Sequence, residues 1–495
     1  MNTTLFQFFH WYYAPEGNLW QHAAQEAQNL SRLGITHVWL PPAYKSAKGI
    51  DEPGYAVYDL YDLGEFDQKG TVRTRFGTKE EYLQAVNAFH DNGIQVLADM
   101  VLNHKMGGDE QEKILSQKVD PDNRLEKIGE PVEIEAFTRF TFPGRNGKYS
   151  DYQWDKHSFS GFCCNDDIYL IVNDYTLGGN WEEMLSGEKG NYDYLMGSDI
   201  EFRNPHVMEE LKKWGCWYVE QTGIDGIRLD AIKHIPHYFF TEWLHHLQTC
   251  FKKDFWAVGE YWNKEVGILL NYIEHTGGAM RLLDVPLHYN LYHASVQDDF
   301  DLRTIFDHTL VRERPELAVT FVDNHDTQPL QALESYVEYW FKPLAYALIL
   351  LRQEGTPCVF YATVYEGKYT GYRGEDEVFV ELNKVPGIDV LLLARKHLAY
   401  GEQHDYWDDA HLIGWTREGI HEKEYSGLAV LISNNGDEKK WMSVGQAHAG
   451  ITFVDITGNQ TGTVTLNDKG EGEFTVGHRT VSVWADERWL LTVKN

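Results

Sequence analysis

The chain has 495 residues, 43% of them hydrophobic and 24% charged, enough for one large domain with one or two smaller ones around a sizeable core. Lys and Arg total 44 against 75 Asp and Glu, a net charge of −31; this repels nucleic acid and anionic membrane and favours a neutral ligand. Aromatics at 14%, with 16 Trp and 29 Tyr, exceed what such a core needs and offer flat apolar faces, although most serve as ordinary core and surface.

At the amino terminus no basic segment leads into an apolar stretch and a small-residue cleavage site; a strand-like run at 5–11 begins at once. Short apolar runs then alternate with helical-period segments, and strands are expected at 5–11, 37–42, 96–103, 226–232, 256–262, 282–287, 318–324 and 356–362. Eight such strands predict an α/β fold, a closed parallel (β/α)₈ barrel. The segments between them form the outer helices, as with Tyr82, Val86 and Phe89 after the acidic start at Glu80 and Glu81, or Met208, Leu211 and Tyr218 ahead of a stop at Gly223. Some 120 residues part the third strand from the fourth, which predicts an inserted subdomain over 104–204 dividing the barrel into 1–103 and 205–398. The insertion is polar and loop-like, with Pro121, Pro131 and Pro143. Past about residue 400 the helical period stops, and alternating runs at 428–432, 451–456, 463–466 and 481–484 predict an antiparallel β-sandwich domain over 399–495, with Trp484 and Trp489 in its core. No window reaches the eighteen or so apolar residues of a membrane span. The five cysteines, Cys163, Cys164, Cys216, Cys250 and Cys358, are odd in number and lack paired zinc-ligand spacing, so buried reduced thiols and a cytoplasmic location are expected.

In such a barrel the chemistry lies at the carboxyl ends of the strands. Four segments place acids there: DMVLNH at 99–104, GIRLDAIKH at 226–234, GEYW at 259–262 and FVDNHD at 321–326. A buried carboxylate is costly unless an Arg, a cation or a substrate compensates it. A structural ion-pair network is the plain alternative.

In order and interval these segments resemble the signature regions of the α-amylase family of glycoside hydrolases, family 13. The likeness extends to VWLPPAYK at 38–45, GYAVYDLYDLGEFDQKGTVRTRFGTK at 54–79, TFVDNHDTQPLQALES at 320–335 and WFKPLAYALILLR at 340–352, which resemble the liquefying and bacterial cytoplasmic members. It covers about residues 1 to 400; the last hundred match only in kind. The resemblance implies Asp230 as nucleophile, Glu260 as general acid and base, and Asp326 as the acid that holds substrate hydroxyls and favours the transition state. Arg228, two residues before Asp230, shares its strand face and keeps that carboxylate ionised. Glu260 must begin protonated, its pKa raised by desolvation beside Tyr261 and Trp262 and by like charge. Two carboxyls with opposite protonation needs are what glycoside hydrolysis requires, and a separation of roughly 5 to 5.5 Å predicts retention of configuration.

The same resemblance implies that Tyr55 stacks on the sugar, that His104 and His325 bind it, and that Lys233 and His234 line the leaving side. Without it, Tyr55 reads as an ordinary loop aromatic beside Pro53. It also implies a structural Ca²⁺ held by Asn103, Asp193, Asp199 and the His234 carbonyl, pinning the insertion to the barrel; a solvated acidic loop is the alternative. Ser160 and Arg203 stand where liquefying members carry further acidic ligands, and Arg203 is expected to supply its own charge in place of a cation. The expected protein is a monomeric endo-acting α-amylase cutting α-1,4 bonds of starch, glycogen or maltodextrins, with no nucleic-acid or membrane partner. A related oligosaccharide-forming or transglycosylating enzyme, or a non-catalytic glucan-binding protein, stands as the alternative.

Overall fold

Eight parallel strands close into a barrel whose hydrogen-bonded neighbours follow chain order all the way round. They are β1 (Leu5–Gln7), β2 (His37–Leu40), β3 (Gln95–Met100), β4 (Gly226–Leu229), β5 (Trp256–Gly259), β6 (Arg281–Leu283), β7 (Ala318–Phe321) and β8 (Thr356–Phe360), in a computed structural model that describes residues 2–493. All eight fall where the sequence predicts, but each expected run continues a few residues too far. The overrun has a physical cause: residues just past the strands, such as Phe8, Phe9, Val101, Leu102 and Ile232, are buried although their backbone has left the ladder. After β6 the apolar run belongs to a helix, Val285–Val296, started by the Asp284 carboxylate accepting from the Leu287 N–H at 3.1 Å.

The outer helices carry their own start and stop signals. Lys79–Asp91 opens on a reciprocal cap in which Thr78 accepts from the Glu81 N–H and Glu81 accepts from the Thr78 N–H, and it buries Tyr82, Ala85, Val86 and Phe89. Pro205–Thr222 starts at Asn204 and ends at Gly223, which takes the left-handed φ of 69° that a side chain resists.

The stretch between β3 and β4 corrects the loop-like expectation. It forms a six-stranded antiparallel sheet, including a long hairpin of Glu110–Val119 and Lys127–Arg139. The second hairpin strand is solvated along most of its length, so the backbone ladder holds it with few apolar side chains and no hydrophobic run marks it. The first and last strands of this sheet, His104–Lys105 and Ser198–Ile200, pair with each other, and the Ile200 N–H reaches the Asn103 carbonyl at 2.9 Å. The sheet is thereby tied to the end of β3.

A hairpin of Gly367–Arg373 and Asp376–Leu382 follows β8 and was not anticipated. Beyond it a six-stranded antiparallel sheet turns Ile413, Val430, Ile432 and Val483 toward the barrel's core and Leu431, Phe453 and Trp484 toward a two-stranded ribbon, Glu438–Ser443 with Glu471–Val476. Trp484 and Trp489 are buried, as expected, although Trp489 sits on a closing helix, Glu487–Val493, where no helical period was read. The cysteines are a further correction. Only Cys358 is buried; the others lie on the insertion's sheet or on outer helix faces. Among the described residues no helix is long and apolar enough to cross a membrane.

Candidate active site

Strand register assembles the acid cluster. On β4, Arg228 pairs with Asp99 of β3 and Val258 of β5, and Leu229 pairs with Gly259. Asp230 and Glu260 therefore leave neighbouring strands side by side, tied by Glu260 N–H to the Leu229 carbonyl at 2.9 Å and Ile232 N–H to the Glu260 carbonyl at 3.1 Å. Asp326 comes from the loop after β7 rather than from a strand end. A turn aims it: the Asn324 side chain accepts from the N–H groups of Asp326 and Thr327, each at 2.9 Å, and Thr327 Oγ1 accepts from the Asn324 N–H at 3.0 Å.

Arg228 is fully buried and serves three of the acids. Its guanidinium donates to Asp99 at 2.8 Å, to Asp230 at 2.5 Å and to Glu260, with its plane 4.9 Å from the Trp39 ring centroid. Asp99 also accepts from the Trp39 indole at 2.9 Å and the Tyr55 hydroxyl at 2.7 Å. One cation thus faces Asp99, Asp230 and Glu260, with Asp326 close enough to feel it. Burial first, and then mutual repulsion against the pull of Arg228, pushes Asp99 up to about 6, Asp326 up to about 7 and Glu260 well above the carboxylate range. The direction for Glu260 is toward its protonated form. Trp262 borders the site against Phe321 and Tyr289, whereas Tyr261, two residues past the end of β5, is buried against Tyr272 at 5.1 Å.

An aromatic wall stands beside the acids. Tyr55, Trp11 and His325 form a near-parallel trio with ring centroids 5.4 Å (Tyr55–Trp11), 5.1 Å (Tyr55–His325) and 6.0 Å (Trp11–His325) apart, and the Tyr55 hydroxyl rests on Asp99. His325 meets the Gln7 amide at 2.9 Å through Nδ1 and Asp326 at 3.3 Å through Nε2, and burial, then the Arg228 charge, hold the ring neutral. His104, kept neutral by burial, reaches the Tyr55 carbonyl at 2.9 Å. Lys233 spans from the Trp262 carbonyl at 3.2 Å to Glu188 at 3.3 Å. His234 is 4% exposed, bonded to the Tyr192 carbonyl at 2.7 Å, and burial, then Lys233, lowers it to about 3. Its ring faces the insertion.

Of the expected metal ligands, Asn103 and Asp199 meet where the insertion joins β3, with Asp193 near enough for its charge to act on Asp199. Asp199 accepts from the Asn103 amide at 3.1 Å and from Ser160 at 2.5 Å, and Asp193 accepts from the Glu182 N–H at 3.1 Å. Both carboxyls are buried, and burial, with like charge from neighbouring acids, raises each well above its usual range. Asn103 Oδ1 is buried with no hydrogen-bond partner. Two repelling carboxyls beside an orphaned amide oxygen form a hard-oxygen donor set that fits Ca²⁺. Arg203 does not face solvent; it grips the buried Glu201 at 2.6 and 2.7 Å with Glu182 3.9 Å away.

Reasoning from sequence alone gave Asp99 no role although its segment stood out, and it passed over Gln7, Trp11, Trp39 and Glu188. Gln7, a lone amide in an apolar strand, was a readable signal; the partners of Trp11 and Glu188 appear only once the barrel closes.

A parallel barrel with a proton-sharing acid cluster and an aromatic wall at its carboxyl-end mouth defines an enzyme of acid and base chemistry. Residues 20–390 match the model of the α-amylase catalytic domain, and residues 428–485 match that of the α-amylase C-terminal domain. Among relatives, an α-amylase of Geobacillus stearothermophilus is 49% identical, covering 100% of this chain and 90% of that protein. A glucan 1,4-α-maltohexaosidase of Bacillus sp. (strain 707) is 45% identical, covering 98% and 93%. The cytoplasmic α-amylase of Escherichia coli (strain K12) is 45% identical, covering 98% and 99%. The chain belongs to the α-amylase family of glycoside hydrolases.

Proposed function

We propose that the protein is an endo-acting α-amylase that hydrolyses internal α-1,4-glucosidic bonds of starch, glycogen or maltodextrins with retention of configuration. The observation that carries this reading is the sharing of one buried guanidinium by Asp230 and Glu260 on adjacent strands, with Glu260 held toward its protonated form. In the first step the Asp230 carboxylate attacks the anomeric carbon while Glu260 passes its proton to the departing glycosidic oxygen. In the second, Glu260 takes a proton from water, the water attacks the same carbon, and Asp230 leaves as a carboxylate. Asp326 and His325 hold substrate hydroxyls, Tyr55 offers its face to the sugar ring, His104 adds a hydrogen bond, and Lys233 with His234 borders the leaving side.

Ca²⁺ belongs to the same reading, held by Asn103, Asp193, Asp199 and the His234 carbonyl. These residues would hold the ion, whose positive charge would offset the repulsion between the Asp193 and Asp199 carboxyls. The insertion at 104–204 and the terminal unit at 399–495 are read as separate domains on a monomeric barrel. A cytoplasmic location is supported by the likeness to the Escherichia coli enzyme. The similarity to a maltohexaose-releasing enzyme supports a second reading, in which products of one length predominate.

Glu260→Gln is the direct test. Removing the general acid should lower turnover on soluble starch by about 10² to 10⁴; a loss under about tenfold, with the fold intact, contradicts the assigned role.

A further inference from the structure

Two outer helices flank β4, Pro205–Thr222 before it and His237–Phe251 after it. They press together at Gly215, where an added Cβ would lie 2.7 Å from the Trp243 ring, and the Trp243 indole donates to the Leu211 carbonyl at 2.9 Å. This close approach brings Cys216 opposite the last turn of the second helix. Its Sγ is 3.2 Å from Cys250 Sγ, and Cys250 Sγ is 3.6 Å from His246 Nε2. His246 and Cys250 stand four residues apart and so share a helix face. Neither sulfur–sulfur nor sulfur–imidazole contact has any part in the acid cluster, and all three side chains reach solvent. Spacing along the sequence does not reveal this trio, because its donors come from two helices.

We propose that Cys216, His246 and Cys250 bind a soft divalent cation, Zn²⁺ in type, that clamps the two helices together. Tetrahedral zinc, with Zn–S near 2.3 Å and Zn–N near 2.0 to 2.1 Å, sets sulfur to sulfur at about 3.8 Å and sulfur to nitrogen at about 3.6 Å. The second distance is already met, and the first needs the thiols to part by roughly 0.6 Å, a small adjustment for surface side chains. Water would complete the tetrahedron; Glu220, one helical turn beyond Cys216, is near enough for its charge to act on that thiol. Two sulfurs and an imidazole do not suit Ca²⁺, so this site is independent of the oxygen donors around Asp199. Burial, then the contact with Cys250, pushes the Cys216 thiol up to about 12. Metal must therefore displace thiol protons, and binding weakens as pH falls.

The test uses the full chain, reduced and freed of metal, beside the double variant Cys216→Ser/Cys250→Ser. Titration with ZnCl₂ should show one more bound equivalent in the unaltered protein, and CoCl₂ should give thiolate-to-metal ultraviolet absorption that the double variant lacks. Zinc should raise the unfolding midpoint of the unaltered protein only. His246→Ala should weaken zinc binding by at least about tenfold, the order that loss of even a supporting group costs. Equal zinc stoichiometry in the two proteins overturns the proposal, as does a Cys216–Cys250 disulfide whose reduced form takes up neither metal.

Discussion

At the scale of the residue, the decisive group is Arg228, whose planar fork meets Asp99, Asp230 and Glu260 together where a lysine offers a single point charge. With one cation among several carboxyls, ionisation of each acid depends on the others. The Asp326 charge raises Glu260, so Asp326→Asn removes a repulsion and lets Glu260 lose its proton more easily. The alkaline limb of the residual kcat/KM profile should shift to lower pH, together with a fall in turnover; an unmoved limb contradicts the coupling. Stability follows the same sign. A carboxyl raised in the folded state to about 7, the direction burial gives Asp326, costs nothing below its ordinary value of 3.8, destabilises progressively as pH climbs from there to about 7, and adds no further cost above it. The proposed catalytic trio was legible in the sequence because each acid sits in a short segment that follows a strand. His325 was legible as a residue, but its partner Gln7 lies 318 positions away and no local pattern joins them.

At the scale of the element, what the sequence reveals is local chemistry. Thr78 and Glu81 spell a capped helix start, and Gly223 a stop, before any packing is known. Thr78→Ala should cost about 1 kcal/mol in urea unfolding and leave turnover on starch unchanged, since the cap satisfies helix N–H groups and bonds to none of the acids. An unchanged urea midpoint contradicts a stabilising role for the cap. Strand ends were harder to read because apolar residues continue into buried turns. The insertion's hairpin was missed for the opposite reason: its second strand, held by backbone hydrogen bonds and mostly solvated, shows no buried apolar run.

At the scale of the whole molecule, the barrel was readable because its eight runs recur with intervening helices, and the terminal sheet because its strands alternate. How the insertion is fastened was not, since it rests on an edge pairing of His104–Lys105 with Ser198–Ile200 and on acids gathered from distant positions. If Ca²⁺ occupies the Asn103, Asp193 and Asp199 donors it binds the folded state alone, adding about 2.7 kcal/mol at a hundredfold excess over Kd. A chelator should lower the unfolding midpoint, and Asp199→Asn should lower it without further response to chelator; indifference of the unaltered protein contradicts the site.

The most direct measurement of the central claim is the anomeric form of the first products from a defined maltooligosaccharide, followed by proton NMR before mutarotation. Displacement by Asp230 followed by water assisted by Glu260 inverts the carbon twice, so the α-anomer should appear first and the β-anomer only later. Initial release of the β-anomer would mean a single displacement by water, and the pairing of these two carboxyls as nucleophile and acid would be wrong.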